Sequence, residues 1–168
     1  MVRRITANNP GVFTGPGTNT YLIGNDDVTV IDPGPAMDTH VQAITDAPGT
    51  INQIIVTHTH LDHSPGARLL HERLGVPVYG LIATNPQNQD TTFTPTELLE
   101  DQQMIECEDF VLRVIHTPGH ASNHLCFLLE PQGMLFSGDH IMNGSTVVIR
   151  PPDGDMGAYI NSLQKLKG

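Results

Sequence analysis

The sequence is poor in basic residues. Among its 168 residues, 8 are Lys or Arg and 18 are Asp or Glu, which gives a formal net charge of −10. A protein that binds nucleic acid non-specifically normally presents a basic surface, so the composition disfavours that class. Phosphodiester cleavage remains open, because bound divalent metal ions would add positive charge that a count of side chains omits.

Cysteine and long apolar runs are also scarce. The two cysteines, Cys107 and Cys126, are too few for a disulfide framework and are expected to be free packing residues. No apolar stretch approaches the length of a transmembrane helix, and no apolar run follows Arg3 and Arg4 to make a secretory signal. These absences predict a cytoplasmic protein with no membrane partner.

The hydrophobic content of 38% and the chain length fit one domain, residues 1–168, with a substantial core. Short apolar runs bounded by turn residues predict strands at 20–23, 28–31, 53–57, 76–81, 110–115, 125–129 and 134–136. Helical spacing with suitable terminal residues predicts helices at 37–47, 65–74 and 156–166. The first two strands flank a turn and form a hairpin, which favours an α/β protein with mixed sheets.

The second and third predicted helices carry recognisable end signals. Ser64 is expected to cap the second helix, and Gly75 is expected to end it. Ala67, Leu70 and Leu74 would form its apolar stripe. The last helix should begin at Asp153 or Asp155. Its expected apolar face consists of Met156, Tyr159, Ile160, Leu163 and Leu166.

Residues 58–63, here called the histidine loop, place His58, His60, Asp62 and His63 within six positions, between a buried strand and a capped helix. A lone histidine on a loop is usually solvated or hydrogen-bonded, but four such side chains together favour a metal site. Alternate residues of an extended chain point the same way, so His58 and His60 can reach one metal. The turn into the helix then directs Asp62 and His63 toward a neighbouring position, which predicts two adjacent metal sites. Imidazole and carboxylate ligands without thiolate suit Zn²⁺ and tolerate Mn²⁺ or Fe²⁺.

The motif His-x-His-x-Asp-His resembles the signature of the metallo-β-lactamase superfamily. Thr117-Pro118-Gly119-His120 resembles its second motif, and Ser137-Gly138-Asp139 resembles a third. The resemblance implies a four-layer helix–sheet–sheet–helix (αββα) sandwich. It also implies that His58, His60 and His120 bind the first metal, that Asp62 and His63 bind the second, and that Asp139 bridges both.

The resemblance further implies a hydrolase in which the two metals activate a water molecule. Asp62 is the candidate catalytic residue, which would orient that water and handle its proton. Esters, thioesters, lactams and phosphodiesters are all substrates of this kind of site, and the fold does not choose among them. The loop at residues 15–20 resembles the lactamase-beta-2-like branch, whose members include ribonucleases, so the expected partner is a small-molecule substrate or single-stranded RNA.

The sequence departs from the family pattern at one ligand. The family's second metal usually has a further histidine, donated well after the third motif, whereas the only later histidine here is His140, which is expected to point the other way. We therefore expect a chain that is incomplete at its C-terminus, with weak or no activity, and a missing ligand either beyond Gly168 or on a partner chain.

Other titratable residues have weaker signals. His124 is expected to support a ligand by a hydrogen bond, and Asp32 to hold the histidine loop. His116 is expected to be structural, and His40 and His71 to be solvated.

Two alternative functions stay open. One is a mononuclear iron enzyme similar to the sulfur dioxygenases. The other is a non-catalytic metal-binding domain, if the chain is naturally this short.

Overall fold

A computed structural model describes residues 1–167 of the chain. Within that range the strands and helices follow the order β1 (Val2–Thr6), β2 (Asn19–Ile23), β3 (Asp27–Ile31), α1 (Asp38–Thr45), β4 (Thr50–Ile55), α2 (Pro65–Leu74), β5 (Val78–Gly80), β6 (Glu97–Leu98), β7 (Met104–Glu106), β8 (Val111–His116), β9 (Leu125–Glu130), β10 (Met134–Phe136) and α3 (Met156–Lys165).

The strands form two sheets. The first has the order β1-β2-β3-β4-β5-β6, with antiparallel pairing from β1 to β3 and parallel pairing from β3 to β6. The second has the order β10-β9-β8-β7 and is antiparallel throughout. The predicted hairpin is present, since β2 pairs with β3 and places Tyr21 opposite Ile31. The prediction of mixed sheets is confirmed for the first sheet.

The main core lies between the two sheets, where β-branched and aromatic side chains fit the pleated surfaces. Ile31 and Ile55 of the first sheet pack in one cluster with Leu112, Leu125 and Phe127 of the second. All five side chains are at most 1% exposed, so the two sheets are fixed against each other beneath the loops that leave their ends.

Helices cover the outer faces of the sheets. Val41 and Ile44 of α1 and Leu70 of α2 pack with Val30 and Ile54 on the outer face of the first sheet. On the other side, α3 is tied to loops and strands of the second sheet. There the hydroxyl of Ser162 donates to the carbonyl of Pro118 at 2.8 Å, and the ammonium of Lys165 donates to the carbonyl of His116 at 3.0 Å. The order helix, sheet, sheet, helix is the predicted one.

The second helix, α2, has its predicted bounds, but two predicted details of it are wrong. Gly75 ends α2 in the left-handed conformation at φ 69°, as expected. Ser64 makes no capping hydrogen bond, because its hydroxyl donates to the Asp90 carboxylate at 2.7 Å instead. Leu74 lies outside the buried stripe, with 41% of its surface exposed, whereas Leu70 is buried.

The last described helix begins as predicted, with the Asp155 carboxylate accepting a hydrogen bond from the amide of Ala158 at 2.6 Å. Its expected apolar face is only partly covered. Met156 is 57% exposed and Ile160 is 48% exposed, and Ser162 is the buried member of the helix. Among residues 1–167, no helix is long and apolar enough to cross a membrane.

Candidate metal centre

A buried carboxylate holds both ends of the histidine loop. Asp32 follows β3, is 3% exposed, and accepts hydrogen bonds from the amide and the hydroxyl of Thr57, both at 2.7 Å. The same carboxylate lies 2.9 Å from Nδ1 of His63. Asp32 therefore supports the loop as predicted, and it fixes the orientation of the His63 ring.

Three imidazoles converge beside the loop. His58, His60 and His120 form a first set whose ligand atoms all lie within 4.8 Å of one another. Nδ1 of His60 lies 3.0 Å from Nε2 of His58 and 3.0 Å from Nε2 of His120. The structure thus brings together the three residues predicted for the first metal.

The hydrogen bonds on the far side of two rings indicate which nitrogens carry protons. Thr57 donates its hydroxyl proton to Asp32, so Nδ1 of His58 must donate to the Thr57 oxygen, 3.0 Å away. Nδ1 of His120 donates to the carbonyl of Val148 at 2.5 Å. When these two rings are neutral, Nε2 of each carries a lone pair, and both lone pairs face Nδ1 of His60. Nδ1 of His60 carries at most one proton, which it can donate to only one of these two nitrogens. The lone pair of the other Nε2 then has no proton facing it, unless a cation lies between the rings.

A second set lies next to the first. It consists of His58, His63 and Asp139, again with ligand atoms within 4.8 Å of one another. Nε2 of His63 is 3.5 Å from Oδ1 of Asp139 and 3.4 Å from Oδ2 of Asp62. Asp62, predicted as a ligand of this site, thus borders the set but is not one of its three closest members.

Burial controls the protonation of the histidines in the first set. It lowers the pKa of His58 well below its usual value, with further lowering by His63 and His124. Burial, followed by repulsion from His120, lowers the pKa of His60 to about 4. Both rings are therefore neutral near pH 7, which is the form that binds metal.

The second set holds positive charge between carboxylates. Burial opposes protonation of His63, but the charges of Asp32 and Asp139 outweigh it and raise the His63 pKa well above its usual value. Burial likewise opposes ionisation of Asp139, and the hydrogen bond and charge of His63 outweigh it, so the Asp139 pKa lies below its usual range. Nδ1 of His63 donates to Asp32, so a proton on Nε2 occupies the position where a metal ion would bind.

The imidazole nitrogens and carboxylate oxygens of the two sets are suitable ligands for divalent metal ions. Two imidazole nitrogens aimed at a third, and a ring nitrogen aimed at two carboxylates, are stabilised by cations placed between them. The two oxygens of Asp139 face different sets, since Oδ1 lies 3.5 Å from His63 and Oδ2 lies 3.6 Å from His120. Asp139 can therefore reach both positions.

His124 supports the third motif. Its Nε2 accepts a hydrogen bond from the amide of Asp139 at 3.2 Å, and its Nδ1 lies 3.0 Å from the hydroxyl of Thr117. The predicted supporting hydrogen bond is confirmed. Gly138 is required at this point, because its φ of 48° is left-handed and an added Cβ would lie 2.7 Å from Nε2 of His124.

Asp62 faces solvent more than the other predicted ligands do. Its side chain is 30% exposed, and its Oδ2 accepts a hydrogen bond from the hydroxyl of Thr18 at 3.1 Å. Thr18 precedes β2, so the loop before the first hairpin orients this carboxylate. No pattern in the sequence predicts this contact.

His140 lies outside both ligand sets. It is fully buried, neither ring nitrogen has a hydrogen-bond partner in the described part of the chain, and its ring centroid lies 4.9 Å from that of Tyr159. The expectation that His140 does not substitute for a further ligand agrees with this position. Burial lowers its pKa to about 4.

Of the three remaining histidines, two lie as predicted and one does not. His71 is exposed as predicted, and Nε2 of His116 lies 3.1 Å from the carbonyl of Ser122 in a structural contact. The prediction for His40 is wrong: its side chain is buried, and its Nε2 lies 2.8 Å from the hydroxyl of Thr20. The helix that carries His40 packs on the first sheet, which turns this ring inward.

A cavity of about 430 Å³ opens beside the first set. His60, Asp62, His120 and Asp139 lie at its base. Sequence reasoning missed most of its other walls, which come from distant loops: Val12, Phe13, Leu61, Gln87, Asn88, Gln89, Met142, Ser145, Thr146, Val148, Arg150, Pro151, Pro152 and Asp153.

Comparison with known proteins gives a consistent family match. A family model described as the metallo-beta-lactamase superfamily matches residues 13–168. The lactamase-like protein adaB of Aspergillus niger is 33% identical over 98% of this chain and 50% of its own length. An atrochrysone carboxyl ACP thioesterase of Aspergillus chevalieri is 35% identical over 96% of this chain and 51% of its own.

A solved structure, TTHA1623 in a di-iron-bound form, superposes with a TM-score of 0.77 at 26% identity, over 98% of this chain and 85% of that chain. This likeness agrees with the predicted fold class. The chain spans about half the length of the curated relatives it matches.

Proposed function

Because the chain belongs to the metallo-beta-lactamase superfamily, we propose that it acts as a metal-dependent hydrolase of acyl bonds, with a thioester as its substrate. The observation that carries the proposal is that two adjacent ligand sets share His58 and present His60, His120 and Asp139 to one cavity. Such a site needs no serine or cysteine nucleophile, since the nucleophile is water.

The ligands divide between two metal ions in this proposal. His58, His60 and His120 would hold one ion, Asp62 and His63 the other, and Asp139 would bridge them through its two oxygens. When bound, the ions would supply hydroxide near neutral pH and polarise the substrate carbonyl. We propose Zn²⁺, and Mn²⁺ or Fe²⁺ also suit these ligands. The di-iron form of one structural neighbour supports a pair of ions but not zinc in particular.

Asp62 is the proposed catalytic residue. Its carboxylate lies at the base of the cavity, and the hydroxyl of Thr18 holds one oxygen by a hydrogen bond of 3.1 Å. From this position it would orient the attacking water, accept a proton from it and deliver that proton to the thiolate that leaves when the carbon–sulfur bond breaks.

Two observations support a thioester over RNA. One relative carries the name of an ACP thioesterase. The cavity wall is largely apolar and contains one Lys or Arg residue, Arg150, whereas a groove for single-stranded RNA would track several phosphates with basic side chains.

The test is to load the full chain with Zn²⁺, measure its metal content, and assay it with an acyl thioester, a lactam and a single-stranded RNA. His60→Ala should lose metal and turnover, and Asp62→Asn should lower kcat by roughly 10²–10⁴-fold, the usual contribution of a general base. His71→Ala, on the exposed side of α2, is the matched control. Thioester turnover at the wild-type rate in either variant would refute the proposed mechanism.

A mononuclear iron enzyme is the second candidate. It is favoured by the tighter geometry of the first set, where two nitrogen–nitrogen distances are 3.0 Å, compared with 3.4 and 3.5 Å around His63. One iron per chain, with no thioester turnover, would support it. Bound metal without turnover of any substrate would support a non-catalytic metal-binding domain.

A further inference from the structure

One arginine stands apart from the other charged groups of the cavity wall. The cavity beside the first ligand set is lined by the carboxylates of Asp62, Asp139 and Asp153, and Arg150 is its single Lys or Arg residue. The protein has only 8 such residues in all. The positive side chain of Arg150 is therefore a specific feature of the cavity, because basic residues are rare in this protein.

Arg150 is exposed and has no ion-pair partner within residues 1–167. By contrast, Arg68, Arg73 and Arg113 each pair with a carboxylate at 2.8 or 2.9 Å. The acidic residue nearest in sequence, Asp153, is engaged elsewhere.

Both carboxylate oxygens of Asp153 accept hydrogen bonds from neighbouring loops. Oδ1 accepts from the hydroxyl of Ser122 at 2.6 Å, and Oδ2 accepts from the amide of Ser122 at 3.0 Å and from the side chain of Gln89 at 3.1 Å. Asp153 thus serves other partners, and among the described residues no carboxylate pairs with the guanidinium of Arg150.

The segment that carries Arg150 is fixed relative to the metal ligands. The carbonyl of Val148 accepts from Nδ1 of His120 at 2.5 Å, the carbonyl of Arg150 accepts from the amide of Gly154 at 2.9 Å, and the amide of Asp155 donates to the carbonyl of Gly119 at 2.8 Å. Contacts on both sides therefore hold the backbone of Arg150 at the rim of the cavity, so that its side chain starts from a fixed point beside the candidate metal ligands.

We infer that Arg150 binds an anionic group of the substrate at the rim of this cavity. The substrate class is then an acyl thioester that carries a carboxylate or a phosphate away from the bond that is cleaved. A guanidinium recognises both groups through paired hydrogen bonds. The anion belongs either to the acyl chain, as a carboxylate, or to the thiol part, as a phosphate. The apolar walls formed by Val12, Phe13 and Leu61 would contact the uncharged part between the two ends. This inference rests on the proposed function.

The experiment uses the Zn²⁺-loaded full chain and two matched pairs of thioesters. A glutaryl thioester and its terminal amide test an acyl carboxylate, and butyryl phosphopantetheine and butyryl pantetheine test a phosphate on the thiol. In each pair we measure the ratio of kcat/KM for the anionic member to that for the neutral member. We expect Arg150→Gln to lower the ratio of one pair by roughly 10- to 100-fold, the range for a lost charged contact in a binding site.

Two further variants make the result specific. Arg150→Lys keeps the charge and should restore most of the lost ratio. Arg68→Gln removes the same charge from an exposed site on α2, where the arginine pairs with Glu72 at 2.8 Å, and should leave both ratios as in the wild type.

The outcomes separate this inference from the proposed function. Hydrolysis of all four thioesters with the same ratios in wild type and Arg150→Gln would overturn the inference and leave the function standing. If no thioester is hydrolysed, calorimetric titration with the two anionic compounds as non-cleavable thioethers replaces the assay. Roughly tenfold weaker binding of one thioether to Arg150→Gln then supports the anion site, and equal binding refutes it.

Discussion

At the level of single side chains, hydrogen-bond direction determines which ring nitrogens are available to a metal. Nδ1 of His58, His63 and His120 is engaged with Thr57, Asp32 and the carbonyl of Val148 respectively. In each ring this leaves Nε2 facing the cluster. The acceptors lie on three different segments, so no short motif encodes them together.

Residues close in sequence were predictable at this scale and residues brought in by folding were not. The four candidate ligands of the histidine loop were predicted from their spacing alone, because an extended strand end and a helix start direct their side chains. His120 and Asp139 could be assigned only by resemblance to a family. The cavity residues Gln89 and Arg150 gave no signal, since their role depends on which loops meet.

The burial of His40 leads to a pH prediction. Burial lowers its pKa from the usual 6.5. As the pH falls through 6.5, the unfolded chain gains a proton at this position that the folded chain does not, so the free energy of unfolding decreases. The side chain of a glutamine can donate to Thr20 in the same way but does not titrate.

His40→Gln should therefore show a shallower fall in the free energy of unfolding between pH 7 and pH 5 than the wild type, measured by urea denaturation at each pH. His71→Gln, at an exposed histidine, should keep the wild-type slope. An unchanged slope in His40→Gln would show that this ring does not titrate between the two states.

At the level of elements, the strands and helices with strong local patterns were predicted within a few residues. The strands β1, β6 and β7 were not predicted, and β6 and β7 are only two or three residues long. Such short strands depend on neighbours in space: next to β6, the amide of Leu99 donates to the carbonyl of Gly80 at 3.2 Å. Leu74 was assigned to the buried stripe because helical spacing describes the face of a helix but not where the sheet beneath it ends.

Two glycines that flank β10, Gly133 and Gly138, allow a matched test of backbone strain and close packing. Gly138 and Gly133 both have left-handed φ angles, of 48° and 66°. An added Cβ at Gly133 meets nothing within 4 Å, whereas at Gly138 it would lie 2.7 Å from Nε2 of His124 and 2.8 Å from the hydroxyl of Thr57.

Gly133→Ala should lower the free energy of unfolding by about 1–2 kcal/mol through backbone strain alone. Gly138→Ala should lower it by roughly 1–3 kcal/mol more, the usual effect of overpacking, and should also weaken Zn²⁺ binding because Asp139 is displaced. Urea denaturation and metal titration measure the two effects. Equal losses of stability in both variants would mean that the close approach to His124 has no energetic consequence.

At the level of the whole molecule, the ligand sets join the two sheets. The histidine loop follows β4 of the first sheet, and His120 and Asp139 follow β8 and β10 of the second. A bound metal ion would therefore contact both halves of the sandwich and would be absent from the unfolded chain.

Metal binding should accordingly stabilise the whole described fold. At free Zn²⁺ about 1,000 times its dissociation constant, the free energy of unfolding should rise by about 4 kcal/mol, and a chelator should reverse the gain. Thermal unfolding with and without chelator is the measurement. His120→Ala should abolish most of the gain, and Mg²⁺, which prefers oxygen ligands, should produce little. A Zn²⁺-independent melting temperature would contradict the ligand assignment.

The hydrogen bond between His120 and the carbonyl of Val148 has an evolutionary consequence. The ring is held by a main-chain atom, so any amino acid that keeps the local backbone preserves the contact. Mutations at positions 148 and 150 can then change the shape and charge of the cavity wall while the His120 ring keeps its contact. New wall surfaces can therefore arise by single replacements that leave this candidate metal ligand in place.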